Sequence, residues 1–213
     1  MRAPGTRPSW QNARTRRGVT LSTRAALAVS INRYAAIREY YSACGKFVKS
    51  GTIVPDGAPM AIPEILPASP DNPDAAALIA ELDAHLGSRG YPFTSRHGYS
   101  VEKLLREGVA FFVSRCDGSA AGCGGVQLYG TEYAELKRMY VRPAFRGRGL
   151  GRSMLNHLAE FSRQHGAMTL RLETGIHEDA AICLYESFGF HRRAPFGEYR
   201  DDPFSLLYEK TLV

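Results

Sequence analysis

The sequence has no apolar run near the roughly 20 residues that a membrane-spanning helix needs. A chain threaded through a bilayer by helices is therefore excluded. Its four cysteines (Cys44, Cys116, Cys123 and Cys183) lack the paired spacing of a zinc site. They read as isolated reduced thiols of a cytoplasmic protein, and no metal is expected. Acid is nearly absent from one segment: residues 1–50 hold ten of the 27 Lys and Arg but only one of the 21 acids, Glu39. The remainder carries 17 basic against 20 acidic residues, so the net charge of +6 belongs to the N-terminal segment. A mildly acidic main part argues against nucleic acid as a partner. Its apolar content, 44% over the whole chain, suits an ordinary globular domain.

Residues 1–59 read as a basic extension, disordered or weakly helical, and residues 60–213 as the domain. Arg16-Arg17 before Val19-Thr20-Leu21 has a faint likeness to a twin-arginine leader, but Arg24 and Arg33 lie close on either side of the short apolar run at 25–31. A basic arm for nucleic acid is the other functional reading of this segment. Leu27, Ile31, Tyr34 and Ile37 could share one face of a short helix. The prolines at 55, 59, 63, 67, 70 and 73 mark linker or edge-strand material. Residues 61–65, after Met60, look like a first strand, so the extension is expected to be dispensable.

Asn72-Pro73-Asp74 is a helix start, and Leu78, Ile79, Leu82 and Leu86 line one face until Gly87. Ser100 caps a short second helix. Residues 109–115 and 121–129 are β-rich around the Asp117-Gly118 turn. Gly124-Gly125 within the second of these predicts a bulge or a close backbone neighbour. Residues 135–141 form a third strand. A long helix to His165 follows, then a strand at 168–173 with a parallel crossover, a helix at 179–188 and closing strands.

The stretch 135–152, ELKRMYVRPAFRGRGLGR, organises the rest. Pro143 ends the strand, and Leu150, Met154, Leu155, Leu158 and Phe161 recur at helical spacing. Strand, glycine-rich turn and helix start together suit a di-anion, because the first amides of a helix have no helical partner. Arg146, Arg148 and Arg152 add charge. A P-loop is excluded, since Arg152-Ser153 replaces Lys-Ser/Thr after the last glycine. A dinucleotide fingerprint counted from Gly147 and Gly149 would need glycine or alanine at position 152, which is arginine.

Arg146-x-x-Gly149-x-Gly151 after Tyr140-Val141-x-Pro143 resembles the phosphate-binding motif of the GNAT superfamily of acyl-CoA N-acyltransferases. Ala181-x-x-Leu184-Tyr185-Glu186-x-x-Gly189-Phe190 resembles that superfamily's second signature. More narrowly, residues 135–143, Leu170-Arg171-Leu172-Glu173-Thr174-Gly175 and the tail around Pro195-Phe196-Gly197-x-Tyr199 resemble a bacterial subgroup of small-molecule or amino-acid acetyltransferases. The resemblance implies an α+β fold: a mixed, mostly antiparallel sheet with a splayed parallel strand pair and helices on both faces. It implies acetyl-CoA as co-substrate. Met139, Tyr140 and Val141 would pair with the pantetheine arm, and Arg146, Gly147, Arg148, Gly149, Leu150, Gly151 and Arg152 would hold the pyrophosphate. Many members carry an Asn near position 178, where this chain has Glu178, so that contact is not carried over.

The implied activity is transfer of an acetyl group to the amine of a small molecule or amino acid, by direct attack in a ternary complex. Protein or peptide acetylation, and a non-catalytic acyl-CoA-binding module, are the alternatives; homodimerisation is compatible with all three. Tyr185 stands where the family places the acid for the departing sulfur. Glu135 is ranked first as base and Glu173 second. By period two, Glu135 is expected on one face with Lys137 and Met139. Arg138 and Arg200 would suit an acceptor carboxylate, with Tyr199 beside them and His177 at the pocket mouth.

Overall fold

A computed structural model of the protein describes residues 63–92, 95 and 98–212. The expected extension, and residues 61 and 62 of the expected first strand, lie outside the described residues. Seven strands form one sheet in the order β1-β2-β3-β4-β5-β7-β6. They are β1 (Glu64–Pro67), β2 (Ala110–Cys116), β3 (Ser119–Tyr129), β4 (Tyr133–Val141), β5 (Thr169–Gly175), β6 (His191–Arg192) and β7 (Ser205–Thr211). Every neighbouring pair is antiparallel except β4–β5, which is parallel. The helix after Gly149 makes that crossover, as a parallel connection requires.

The helices are α1 (Pro73–Gly87), α2 (Val101–Arg106), α3 (Leu150–Gln164) and α4 (Asp179–Ser187). Asn72 accepts from the Asp74 amide at 3.1 Å, and the Ser100 hydroxyl accepts from the Lys103 amide, so both early helices start on a side-chain cap. Strand alternation sends side chains to two cores. Phe112, Leu136, Leu170 and Leu172 pack under α3 residues Met154, Leu155, Leu158 and Phe161. Phe111, Val113 and Tyr140 pack on the opposite face against Leu78, Ile79 and Leu82 of α1 and Leu104 of α2. Among the described residues, no helix is long and apolar enough to cross a membrane.

Three ion pairs set the direction of α1 over the sheet. Glu81 accepts from the Arg142 guanidinium at 2.6 Å, Asp83 pairs with Arg138 at 2.7 Å, and Asp74 pairs with Arg115. Exposed pairs of this kind stabilise by only about 0–1 kcal/mol each. Their effect is positional: α1 stays fixed relative to the end of β4, where the strand pair opens.

Candidate active site

β4 and β5 pair only at Ala134↔Leu170 and Glu135↔Arg171, and beyond that point they part. The cause lies on the other edge of β4. In the β3–β4 ladder, Cys123 faces Tyr140 while Gly125 faces Lys137, so Arg138 and Met139 together oppose Gly124. Arg138 takes a left-handed φ of 55°. Such a bulge bends and twists the strand that carries it. It needs Gly124: a Cβ there would lie 2.8 Å from Met139 Sδ and 3.0 Å from Met154 Cγ.

The extra residue also resets the alternation, which corrects the period-two expectation. Glu135 and Lys137 do share a face, but Met139 packs on the α3 side with Leu136. Arg138 turns toward α1 and Tyr99 instead. The opening between β4 and β5 is a cavity of about 320 Å³, lined by Leu136 to Met139, by Leu172 to Gly175 and by Tyr185 and Tyr199.

The glycine-rich turn follows the end of β4. A 3-10 turn, Pro143–Phe145, leads into Gly147 and Gly149, whose φ values are 75° and 77°. Gly149 starts α3 with no side-chain cap and no acid in the first turn. A Cβ at either glycine would meet nothing within 4 Å, so the backbone here faces open space. Gly151 has a different reason: its Cβ would lie 2.9 Å from Leu184, and its smallness lets α3 approach α4. Arg146, Arg148 and Arg152 are exposed around the turn, and Arg146 Nε donates to the Val141 carbonyl at 3.0 Å. An open turn of amides with three guanidiniums fits a pyrophosphate. The β4 edge beyond Glu135, which has no β5 partner, fits the amide-bearing pantetheine arm of an acyl-CoA.

Tyr185 is buried on α4, lines the cavity and packs edge-on against Phe190. Burial pushes its phenol up, and the nearby carboxylates of Glu173 and Glu178 push it further, so it stays protonated at neutral pH. Glu173 also lines the cavity, and Ser205 Oγ donates to its Oε1 at 2.7 Å. Glu135, ranked first as base from the sequence, is 2% exposed and does not line the cavity. Its Oε1 accepts from Lys137 Nζ at 2.5 Å and from the Tyr199 hydroxyl at 2.7 Å. Burial pulls the Lys137 ammonium below the usual lysine range, and Glu135 pulls it back up. Tyr199 is raised by burial first and then by Glu135.

The expected acceptor contacts are distributed differently. Tyr199 and Arg138 line the cavity. Arg138 is already engaged: Nη1 pairs with Asp83, and Nε donates to the Tyr99 carbonyl at 2.7 Å. Arg200 is exposed, donates to its own neighbour's carbonyl and lies outside the cavity wall. His177 is exposed and stacks on the Tyr91 ring with centroids 5.3 Å apart.

The resemblance implies that the first two helices and the loop from Tyr91 to Tyr99 cover the acceptor pocket, and Tyr91 and Tyr99 do line the cavity; sequence reasoning missed Lys137 and Glu178, which line it with them. Glu178 accepts from His85 Nε2 at 2.9 Å, and Arg89 approaches it at 3.5 Å, tying α1 to the start of α4. Tyr91 donates to Glu178 at 3.4 Å and accepts from the His177 amide at 2.9 Å. Gly175 leaves the room that the Tyr91 side chain takes. A Cβ there would lie 2.2 Å from the Tyr91 hydroxyl. Gly175→Ala is therefore expected to expel Tyr91 and destabilise the domain by about 1–3 kcal/mol, as overpacking does. Urea denaturation of the variant checks this, and Gly175→Ala combined with Tyr91→Ala should recover part of the loss.

Comparison with known proteins agrees with this architecture. The profile of the acetyltransferase (GNAT) family matches residues 77–190. A protein named IAA acetyltransferase from Azospirillum brasilense is 40% identical over 146 residues, covering 68% of this chain and 94% of that one. The N-alpha-acetyltransferase RimI of Mycobacterium tuberculosis is 39% identical over 83 residues, 37% of this chain and 50% of its own. The crystal structure of a Klebsiella pneumoniae protein described as an acyl-CoA N-acyltransferase superposes with a TM-score of 0.61 at 36% identity, over 72% of this chain and 99% of that one. The split sheet and the open glycine-rich turn after β4 agree with that family. The chain belongs to the GNAT acetyltransferase family and is an N-acetyltransferase enzyme.

Proposed function

We propose that the protein transfers an acetyl group from acetyl-CoA to the amine of a small molecule or amino acid in the cytoplasm, by direct attack in a ternary complex. The observation that carries this reading is one cavity bordered by both Glu173 and Tyr185, whose wall includes Met139 on the strand that leads into the open turn at Gly147 and Gly149. Acetyl-CoA supplies the activated carbonyl and a thiolate leaving group. The backbone of β4 from Met139 to Val141 orients the donor, and an amide at the bulge polarises its carbonyl. Glu173 takes the proton of the acceptor ammonium, directly or through water. Nitrogen then forms the new C–N bond as the C–S bond breaks, Tyr185 donates its proton to the departing sulfur, and the nitrogen's second proton passes, directly or through water, to the tyrosinate to restore it. Glu173 replaces Glu135 as first-ranked base because Glu135 stands behind Lys137, outside the cavity wall. In this reading Glu135, Lys137 and Tyr199 hold the loop before β7 against β4.

Thiol release from acetyl-CoA in the presence of a panel of amines and amino acids tests the proposal. Acetylated product from at least one small amine is expected. Binding of acetyl-CoA with no thiol release from any acceptor would make the protein an acyl-CoA-binding module. The likeness to RimI supports peptide acetylation as the second reading. Product from a peptide N-terminus alone would favour it.

A further inference from the structure

Arg138 holds a backbone conformation that suits it poorly. Its φ of 55° lies in the left-handed region, which glycine adopts freely and other residues seldom do. The place is the bulge of β4, where Arg138 and Met139 together oppose Gly124. Glycine would fit that turn better, so what the arginine contributes is its side chain, which is 6% exposed. Its Nε donates to the Tyr99 carbonyl at 2.7 Å, and its Nη1 pairs with Asp83 of α1 at 2.7 Å. The guanidinium lies along Gly98: a Cβ there would stand 3.0 Å from Nη1, 3.1 Å from Nη2 and 3.3 Å from Cζ. Asp83 is exposed, and its pair adds little by itself. The bond to the Tyr99 backbone and the packing on Gly98 fix the direction of the side chain.

The main chain of the same residue is held as well. The Arg138 carbonyl accepts from Cys123 Sγ on β3 at 3.4 Å. Burial pushes that thiol up to about 12, so it keeps the proton it donates. In a trans peptide the carbonyl and the next amide point in opposite directions. The Met139 amide is therefore turned away from Cys123, at a point where β4 has no β5 partner and where Arg138 and Met139 both line the cavity. We propose that Arg138 is a positioning residue: its side chain, latched to Tyr99 and α1, holds the 138–139 peptide so that the Met139 amide polarises the thioester carbonyl of acetyl-CoA. The proposal rests on the acetyl-transfer reading above and specifies which amide acts and what aims it. It gives Arg138 a role other than contact with an acceptor carboxylate.

Infrared spectra of carbonyl-labelled acetyl-CoA bound to the full chain test the proposal. The wild type should lower the carbonyl stretch relative to free acetyl-CoA. Arg138→Gly, which accepts the backbone turn but has no side chain to latch, should move the stretch back toward the free value. Its kcat should fall by at least about tenfold with phenethylamine and with phenylalanine alike. Calorimetric affinity for CoA, which has no thioester carbonyl, should change by no more than about twofold and shows that the variant is folded. Arg138→Lys keeps the charge but lacks the planar fork, and should shift the stretch in the same direction if Arg138→Gly does not fold. Wild-type stretch and kcat in these variants overturn the proposal. A higher KM for phenylalanine alone, with kcat and the stretch unchanged, overturns it in favour of an acceptor contact. An unshifted carbonyl in the wild type removes the role of the amide and the proposal with it. Where neither acceptor is turned over, the infrared shift decides. Absence of thiol release from any amine, with that shift intact, overturns the transfer function and leaves the positioning of the carbonyl standing.

Discussion

Tyr185→Phe should lower turnover by about 10²–10⁴-fold, the usual contribution of a positioned general acid. Acetyl-CoA affinity should change by no more than about twofold, because the substitution removes one hydroxyl and keeps the ring. The phenyl ring can still pack on Phe190 in the core under α4, so folding should be unaffected. The pH dependence carries a second signature. Burial and the carboxylates of Glu173 and Glu178 raise the phenol, so the wild-type acid remains in its donor form up to high pH. The rate should show no alkaline loss attributable to Tyr185 within the neutral range. Stopped-flow turnover and calorimetric acetyl-CoA binding on the same preparation separate the two effects. Equal kcat in the variant and the parent would reduce Tyr185 to a packing residue.

Gly149→Glu should weaken acetyl-CoA binding by at least about 100-fold, roughly 2.7 kcal/mol. Three effects add. The residue sits at φ 77°, which costs a side chain about 1–2 kcal/mol. The new side chain occupies the open space on the ligand side of the turn, where a Cβ meets no protein atom. Its charge also repels phosphate and neutralises part of the field of Arg146, Arg148 and Arg152. Gly149→Ala separates the causes, because it carries the backbone strain with neither the bulk nor the charge, and should lose about tenfold or less. Wild-type calorimetric affinity for Gly149→Glu would sink the assignment of the phosphate turn.

The sequence determined by itself those features that one continuous segment can build. The cap at Asn72, the turn at Asp117-Gly118 and the helix starting at Gly149 depend on residues within a few positions of each other. Their hydrogen bonds and φ preferences are local, and they were legible. So was the glycine-rich turn itself, since its amides and guanidiniums come from residues 146–152 alone. Parallel pairing of β4 with β5 was legible too, because a helix between two strands leaves little choice of hand or direction.

Tertiary structure alone decided the rest. Met139 falls on the α3 face because one extra residue opposite Gly124 reverses the alternation, and that register is set across strands. Glu135 is enclosed by Lys137 and by Tyr199, a residue 64 positions away on the loop before β7. Arg138 is committed to Asp83, 55 positions back on α1, which no spacing rule connects to β4. A carboxylate in a sequence carries a charge but not its neighbours. Whether it serves as base, as anchor or as the wall of a cavity depends on which side chains the packed sheet brings within about 3 Å of it.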